Sequence, residues 1–173
     1  MRRSPHSDMK KSHVLWGLAA VILVGMLMSG RWSSQFSKKN PANSNLTNRE
    51  VAMLCTTDMA TEFHIHPNLQ IIINGEVQEM PVDIGIKGGC MNPLHTHETD
   101  GTLHVESPTE RDFTLGDFFA VWGKQFSKDE ILSFKADAKN KIRVRVNGKE
   151  VDTFENTILR DQDRIVISYE SII

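Results

Sequence analysis

The residues of this chain that are best suited to chemistry are histidines spaced two positions apart. Five of the seven histidines lie between positions 64 and 104, and they include two His-x-His pairs. Side chains alternate between the two faces of a strand, so each pair projects from one face of an extended segment. Imidazoles and a carboxylate held rigidly on a sheet suit zinc or another divalent transition metal. The candidate metal ligands are His64, His66, His95, His97, His104 and Glu106.

A turn between the last two pairs is predicted to bring them together. Asp100-Gly101 is a strong signal for a two-residue hairpin loop between strand-like residues. That loop would place His97 opposite His104 and His95 opposite Glu106, with Cβ atoms about 4.5–5.5 Å apart. The strand that carries the 64/66 pair is expected to lie near enough to complete the cluster. The alternate positions, which should face the core, are Leu103 and Val105.

The two cysteines have alternative roles. In an oxidising compartment, a Cys55–Cys90 disulfide would close a loop of about 35 residues and stabilise the fold by about 3–4 kcal/mol. Alternatively, Cys90 is a thiolate ligand, and a thiolate or the thioether of Met91 would shift the metal preference towards copper. A bridged Cys90 cannot also bind metal, so the two roles exclude each other.

The same histidine pattern is compatible with several functions. The polar face of an antiparallel sheet is normally solvated, and a metal-free histidine cluster can respond to pH. A bound metal with an open coordination position could instead activate water, with Glu98, Glu106 or Asp100 as the base. The favoured function is the binding of copper or zinc for sensing, storage or transfer. The alternatives are a metal-dependent enzyme and a membrane-tethered interaction module without metal.

The amino-terminal region is predicted to hold the domain at a membrane. Residues 1–13 are basic, and residues 14–30 contain no charged side chain. Such a segment is at the short limit for a membrane-spanning helix, and a cleaved signal peptide is the alternative. We expect an uncleaved anchor with the rest of the chain outside the cytoplasm, in the periplasm or the extracellular space. Residues 31–50 are polar and predict a flexible linker, so the extracytoplasmic domain should span 51–173.

Turn and capping residues predict the class of this domain. Asn74-Gly75 and Asn147-Gly148 each separate two strand-like segments and indicate hairpins. Thr114–Asp117 and Ser127–Glu130 have the capping-box pattern that begins a helix. Residues 164–170 (RIVISYE) predict a last strand. We therefore expect an α+β fold in which one or two short helices pack on a mainly antiparallel sheet of hairpins.

Charge and motif content narrow the partners. The net charge of -2 gives no electrostatic reason to expect a nucleic-acid partner. A serine or cysteine triad and a phosphate-binding glycine loop are not identifiable. The expected partners are the membrane, through the amino-terminal helix, and, in the interaction-module alternative, a protein outside the cytoplasm.

Four ordered motifs carry a resemblance to a known family. After Cys55 the chain reads HIHPNLQIIINGEVQEMPVDIGI, then CMNPLHTHETDGTLHVESP, then FTLGDFFAVWGKQFS, and finally a Val-Asn-Gly hairpin. From Cys55 to Tyr169 it resembles a family of small exported or membrane-anchored prokaryotic proteins. The resemblance implies that the histidines, both cysteines, Glu106 and the Phe-Phe-x-x-Trp-Gly helix belong to one design, and it implies no activity. The ending RVRVNGKEV…ILRDQDRIVISY is also similar to the close of a ubiquitin-like β-grasp, a likeness of fold alone.

Overall fold

A computed structural model describes residues 45–57 and 61–172 of the chain. The described residues belong to a unit that spans Asn40–Ile173. The predicted tail, the predicted anchor and most of the predicted linker, residues 1–44, lie outside the described residues. Within the described ranges, no helix is both long enough and apolar enough to cross a membrane.

The described domain is α+β, as predicted. Its helices are α1 (Asn48–Ala52) and α2 (Leu115–Trp122), and a 3-10 turn covers Phe154–Asn156. The strands are β1 (Phe63–Ile65), β2 (Asn68–Ile73), β3 (Glu76–Gln78), β4 (Ile86–Lys87), β5 (Cys90–Met91), β6 (Leu94–His95), β7 (His104–Ser107), β8 (Gln125–Phe126), β9 (Glu130–Leu132), β10 (Phe134–Lys135), β11 (Asn140–Val146), β12 (Lys149–Val151) and β13 (Arg164–Ser171).

The largest sheet has five strands in the order β12-β11-β13-β2-β3. Its central pair, β13 and β2, is parallel, and the other neighbours are antiparallel. The predicted hairpins at Asn74-Gly75 and Asn147-Gly148 are confirmed, because each two-residue loop joins paired strands. Both loops have positive φ at both positions, 51° and 86° in the first and 52° and 81° in the second. Asparagine and glycine tolerate this backbone region, which two-residue hairpin loops of the primed type require.

Helix α2 begins as its capping box predicts. The Thr114 hydroxyl accepts a hydrogen bond from the Asp117 amide, and the Asp117 carboxylate accepts one from the Thr114 amide. The helix ends at Gly123, whose φ of 72° is left-handed. Asp117 also pairs with Arg49 of α1 over 2.8 Å, which ties the two helices together.

The prediction that a helix begins at Ser127–Glu130 is wrong. Residues 130–132 form β9, which pairs with both β8 and β10. The Ser127 amide donates to the Glu130 carbonyl over 2.8 Å, so the segment turns back instead of continuing as a helix. The pairing buries Ile131 completely. Burial of an apolar side chain between two strands outweighs a capping signal, which contributes only about 1 kcal/mol.

The folded part of the chain begins before the predicted boundary at Val51. Helix α1 starts at Asn48, and Thr47 with Glu50 forms a capping box at its amino end. Leu46 packs against the core, and the Arg111 guanidinium donates to the Leu46 carbonyl. The polar residues just before Val51 therefore serve as helix caps and not as a flexible linker.

Candidate metal centre

A three-stranded antiparallel sheet carries the histidines, in the order β1-β7-β6. His64 on β1 lies opposite Glu106 on β7, and His95 on β6 lies opposite His104 on β7. The alternate positions of these strands point to the hydrophobic core, where Val105 is fully buried. One face of this small sheet therefore packs against the domain, and the other presents imidazoles.

The predicted register of β6 and β7 is wrong by two residues. His104 was expected opposite His97 and lies opposite His95, while Glu106 lies opposite His64 instead of His95. A slip of two residues keeps every side chain on its face of the sheet, whereas a slip of one would reverse it. The histidines therefore stay together, although their partners across the sheet change.

The register differs because Asp100-Gly101 is not a two-residue hairpin loop. The Gly101 carbonyl accepts from the Leu69 amide over 2.8 Å, and the Leu103 amide donates to the Pro67 carbonyl over 2.9 Å. This segment thus pairs with the start of β2 instead of with the residues that follow β6. A Cβ atom at Gly101 would lie 2.3 Å from the Leu69 carbonyl oxygen, so only glycine fits this close approach. The Asp100 carboxylate accepts from the Thr102 amide and closes its own local turn.

Five imidazole rings converge on the face of the small sheet that points away from the hydrophobic core. The His104 ring lies at their centre, with its centroid 4.7 Å from His66, 4.7 Å from His97, 5.3 Å from His95 and 5.8 Å from His64. The His64 and His66 rings are 4.3 Å apart, and the His95 and His97 rings are 4.8 Å apart. β7, with His104, thus lies between the 64/66 pair and the 95/97 pair and joins them into one cluster.

The cluster contains two groups of three histidines that share His104. In one group, potential ligand nitrogens of His64, His66 and His104 all lie within 4.8 Å of one another, and His95, His97 and His104 form the second such group. A tetrahedral zinc ion with bonds of about 2.0–2.1 Å needs nitrogens about 3.4 Å apart. Small side-chain rotations would bring either group to that spacing.

His95 is the most constrained member of the cluster. Its side chain is fully buried, and its Nδ1 lies 2.9 Å from the Asn92 carbonyl oxygen. A carbonyl can only accept, so Nδ1 carries the proton and Nε2 of the neutral ring has its lone pair free. Nε2 is buried and has no hydrogen-bond partner among the residues that the structure describes. A metal ligand has this arrangement, in which one ring nitrogen is fixed by a backbone carbonyl and the other is left for the ion.

The electrostatics at His95 and His104 favour the neutral form of these two rings. Burial, together with the neighbouring charges of His97 and His104, lowers the pKa of His95 from 6.5 to about 4. Burial is also the main reason that the pKa of His104 is lowered, followed by the nearby His66 and His97. Metal ligation requires the neutral form of imidazole, which His95 keeps at neutral pH.

Asn92 holds the carbonyl that orients His95, and it is not among the residues predicted from the sequence. Its side-chain amide donates to the Ala52 and Leu54 carbonyls over 3.1 and 3.0 Å, and its backbone amide donates to Gly85. These bonds fix the short link between β5 and β6, which directly precedes His95, against the segment that follows α1. Asn92 precedes a proline, and Asn-Pro is a turn signal that could have drawn attention to this position.

The cysteine prediction is decided in favour of the disulfide. Cys55 and Cys90 are bridged, with Cα atoms 5.3 Å apart. Cys90 is therefore not a thiolate ligand. Instead, the bridge joins the end of α1 to β5, two residues before Asn92, and so supports the carbonyl that holds His95.

The carboxylates proposed as ligand or base are largely engaged. Glu106 Oε1 lies 3.1 Å from His64 Nε2, so this carboxylate orients an imidazole and lies outside both groups of three. The Asp100 carboxylate is bound by Thr102. Glu98 is exposed.

Comparisons with known proteins assign no function to this arrangement. No family model, no curated protein and no solved structure matches the chain. The chemistry of the cluster is therefore inferred from its own side chains.

Proposed function

We propose that this domain binds one transition-metal ion, copper or zinc, through its histidine cluster and serves in metal sensing, storage or transfer. The observation that carries this proposal is the buried, unpartnered Nε2 of His95. Leaving a buried polar atom without a partner costs about 1–3 kcal/mol. A metal–nitrogen bond would remove this cost and would also use the crowding of the other rings.

Neither metal-free alternative accounts for the fixed state of His95. A solvated polar face would leave its ring nitrogens in contact with water, but this ring is fully buried. A pH sensor that acts near neutrality needs a pKa near its working pH, and that of His95 is lowered to about 4. A site built for a cation with neutral ligands has both features.

The cluster suits one ion at a time. Two ions on opposite nitrogens of the shared His104 ring would lie about 6 Å apart, given metal–nitrogen bonds of about 2 Å. Two divalent charges at that distance repel by about 11 kcal/mol at an effective dielectric constant of about 20. The imidazoles are neutral ligands and cannot offset this repulsion, so we expect one equivalent of metal.

The ligand set narrows the choice of metal. Cys90 is locked in the disulfide, so the thiolate that would favour copper(I) is removed. Neutral imidazole nitrogens suit zinc(II) and copper(II). We therefore propose zinc(II) or copper(II) as the ion.

Metal handling is favoured over catalysis by the openness of the cluster. His97 is exposed, and the side chain of His64 is 42% exposed, so the metal site would be shallow. An enzyme that activates water needs a free base and a site that holds substrate. Glu106 and Asp100, two of the candidate bases, are already bound to His64 and Thr102. The interaction-module alternative would be supported by an exposed apolar patch around Trp122, but the Trp122 ring packs on Phe119.

Attachment to a membrane belongs to the same proposal. The uncharged segment at residues 14–30 would be the anchor, and the domain would lie outside the cytoplasm. The Cys55–Cys90 disulfide supports this location, since such bridges persist in oxidising compartments. The five-stranded sheet, whose central strand β13 lies between the β11-β12 and β2-β3 hairpins, supports a β-grasp-like architecture for the domain.

Elemental analysis and metal titration test the proposed function. The full-length protein is purified in mild detergent with both tail histidines replaced (H6A/H13A), so that only the cluster histidines remain. We expect one equivalent of zinc or copper, and we expect the further double change H97A/H104A to weaken binding at least about 100-fold, equal to about 2.8 kcal/mol. E98A is the matched control, because it changes an exposed residue next to His97 and should retain the parent affinity. Native circular dichroism with unchanged metal affinity in the H97A/H104A protein would refute the proposal.

A further inference from the structure

The histidine cluster is divided into two overlapping sites. We name the group His64, His66 and His104 the His64 half-site, and the group His95, His97 and His104 the His95 half-site. Each group has its ligand nitrogens within 4.8 Å, and the two groups share one residue. The His66 and His97 rings each lie 4.7 Å from His104, at interplanar angles of 90° and 77°. An ion in either position would therefore have the shared ring and one edge-on ring beside it.

The two half-sites differ in how firmly their members are held. In the His95 half-site, one ring is fully buried and fixed by the Asn92 carbonyl, so it loses little freedom when it binds an ion. In the His64 half-site no ring is fully buried, and the His64 ring is 42% exposed; His97 of the other half-site is exposed as well, so the difference lies in the buried His95. Preorganisation strengthens binding, and exposure allows a hydrated ion to enter.

The polar contacts of the two half-sites also differ. The Glu106 carboxylate contacts His64 directly and attracts a cation there, although its charge also acts on His95 and His104. The unpartnered nitrogen lies in the His95 half-site. One half-site thus has the features of an entry position, and the other has those of a holding position.

We propose that a single zinc(II) or copper(II) ion is captured at the His64 half-site and passes to the His95 half-site while one and the same nitrogen of His104 remains bound to it. This inference rests on the proposed metal-binding function and adds a direction of transfer to it. His64 and His66 leave the ion as His95 and His97 enter. Neutral nitrogens replace neutral nitrogens, so the ion keeps its charge and oxidation state, and no proton or electron is transferred.

A matched pair of variants separates entry from holding. H66A and H97A each remove one ring that lies 4.7 Å from His104, one from each half-site. Zinc binding to the full-length protein, with the tail histidines replaced, is measured by chelator competition for affinity and by stopped flow for the association rate. We expect H66A to slow association at least about tenfold with less than about threefold change in affinity. H97A should weaken affinity at least about tenfold and leave association nearly as fast as in the parent. H104A should show both the weaker affinity and the slower association.

The outcomes distinguish this inference from the function on which it rests. If the parent binds neither zinc(II) nor copper(II) more tightly than H104A does, the metal-binding function itself fails. If the parent binds one zinc tightly but H66A and H97A change affinity and rate alike, the cluster is one site and the transfer is refuted. Tight binding of two zinc ions by the parent would also overturn the transfer. Circular dichroism of each variant confirms that the fold is retained, and the exchange of these rings for alanine leaves the core-facing side of the sheet unchanged.

Discussion

The polar faces of the five-stranded sheet and of the β1-β7-β6 sheet differ in how their polar side chains find partners within the protein. On the five-stranded sheet, charged residues pair with one another. Arg143 Nη1 lies 2.7 Å from Glu150, and the buried Arg143 Nε, which makes no aligned hydrogen bond within the described part of the chain, lies 2.5 Å from Glu170. At one end of that sheet, the Asn147 side chain donates to Asp163 over 2.7 Å. On the β1-β7-β6 sheet, five imidazoles crowd together, and His95 Nε2 has no hydrogen-bond partner among the described residues.

This difference indicates what each face is for. A face whose polar groups pair with one another needs nothing further to be stable. A face of crowded imidazoles is incomplete in either protonation state. Protonated rings repel one another, and in the neutral state the buried His95 nitrogen lacks a hydrogen-bond partner among the described residues. The proposed ion would complete the second face, and the first has no such need.

The largest expected effect separates the two sides of the histidine sheet. Leu103 is fully buried, so Leu103→Ala should lower the free energy of unfolding by about 2–5 kcal/mol through lost burial and a cavity. His97→Ala changes an exposed ring and should alter it by no more than about 0.5 kcal/mol. Urea unfolding of the metal-free proteins measures both. A loss of several kcal/mol in His97→Ala would mean that the histidine face supports the fold and would remove the contrast.

The next effect is the response of the histidine sheet to acid. The pKa of His95 is about 4 in the folded protein, below its ordinary value of 6.5. Between these values the unfolded chain binds a proton that the folded chain does not, so the free energy of unfolding falls as the pH falls through this window. The slope from His95 is at most about 1.4 kcal/mol per pH unit. His95→Gln should flatten this slope when metal-free proteins are unfolded between pH 6.5 and pH 4, and an unchanged slope would show that His95 does not titrate in this way.

The smallest effect compares a real helix cap with a false one. Thr114 caps α2, so Thr114→Ala should lower the free energy of unfolding by about 1 kcal/mol. Ser127 has the same sequence pattern but precedes a strand, and its hydroxyl accepts from the Asp129 amide in an exposed turn. Ser127→Ala should therefore change stability by no more than about 0.5 kcal/mol. Equal losses in the two variants would contradict the assignment of the 130–132 segment to a strand.

Local signals were reliable where the chain closes a structure with its own neighbours. The Asn74-Gly75 and Asn147-Gly148 loops formed hairpins, because two residues with positive φ suffice to reverse a strand. The box at Thr114 started a helix whose apolar residues then faced the core. In both cases the atoms that decide the structure lie within four residues of one another.

The same kinds of signal failed where a distant strand competed for the same backbone. The Asp100-Gly101 pair was expected to close a tight hairpin, but Gly101 bonds to Leu69 and the nearby Leu103 bonds to Pro67, both more than thirty residues away in the sequence. Ser127–Glu130 was expected to begin a helix, but β8 and β10 recruited it into a sheet. A pattern within one segment carries no information on which other segment will pair with it.

The sequence by itself determined which residues could form the candidate site and which face they share. Alternation along a strand puts His104 and Glu106 on one side and Val105 on the other, whichever strand lies alongside. The tertiary structure decided how those residues are used: it made His95 the partner of His104 across the sheet, sealed Cys90 in a disulfide, and fixed the His95 ring on the Asn92 carbonyl. Those outcomes depend on contacts between distant segments and on burial, which arise only when the strands, α1 and the disulfide-bearing segment pack together.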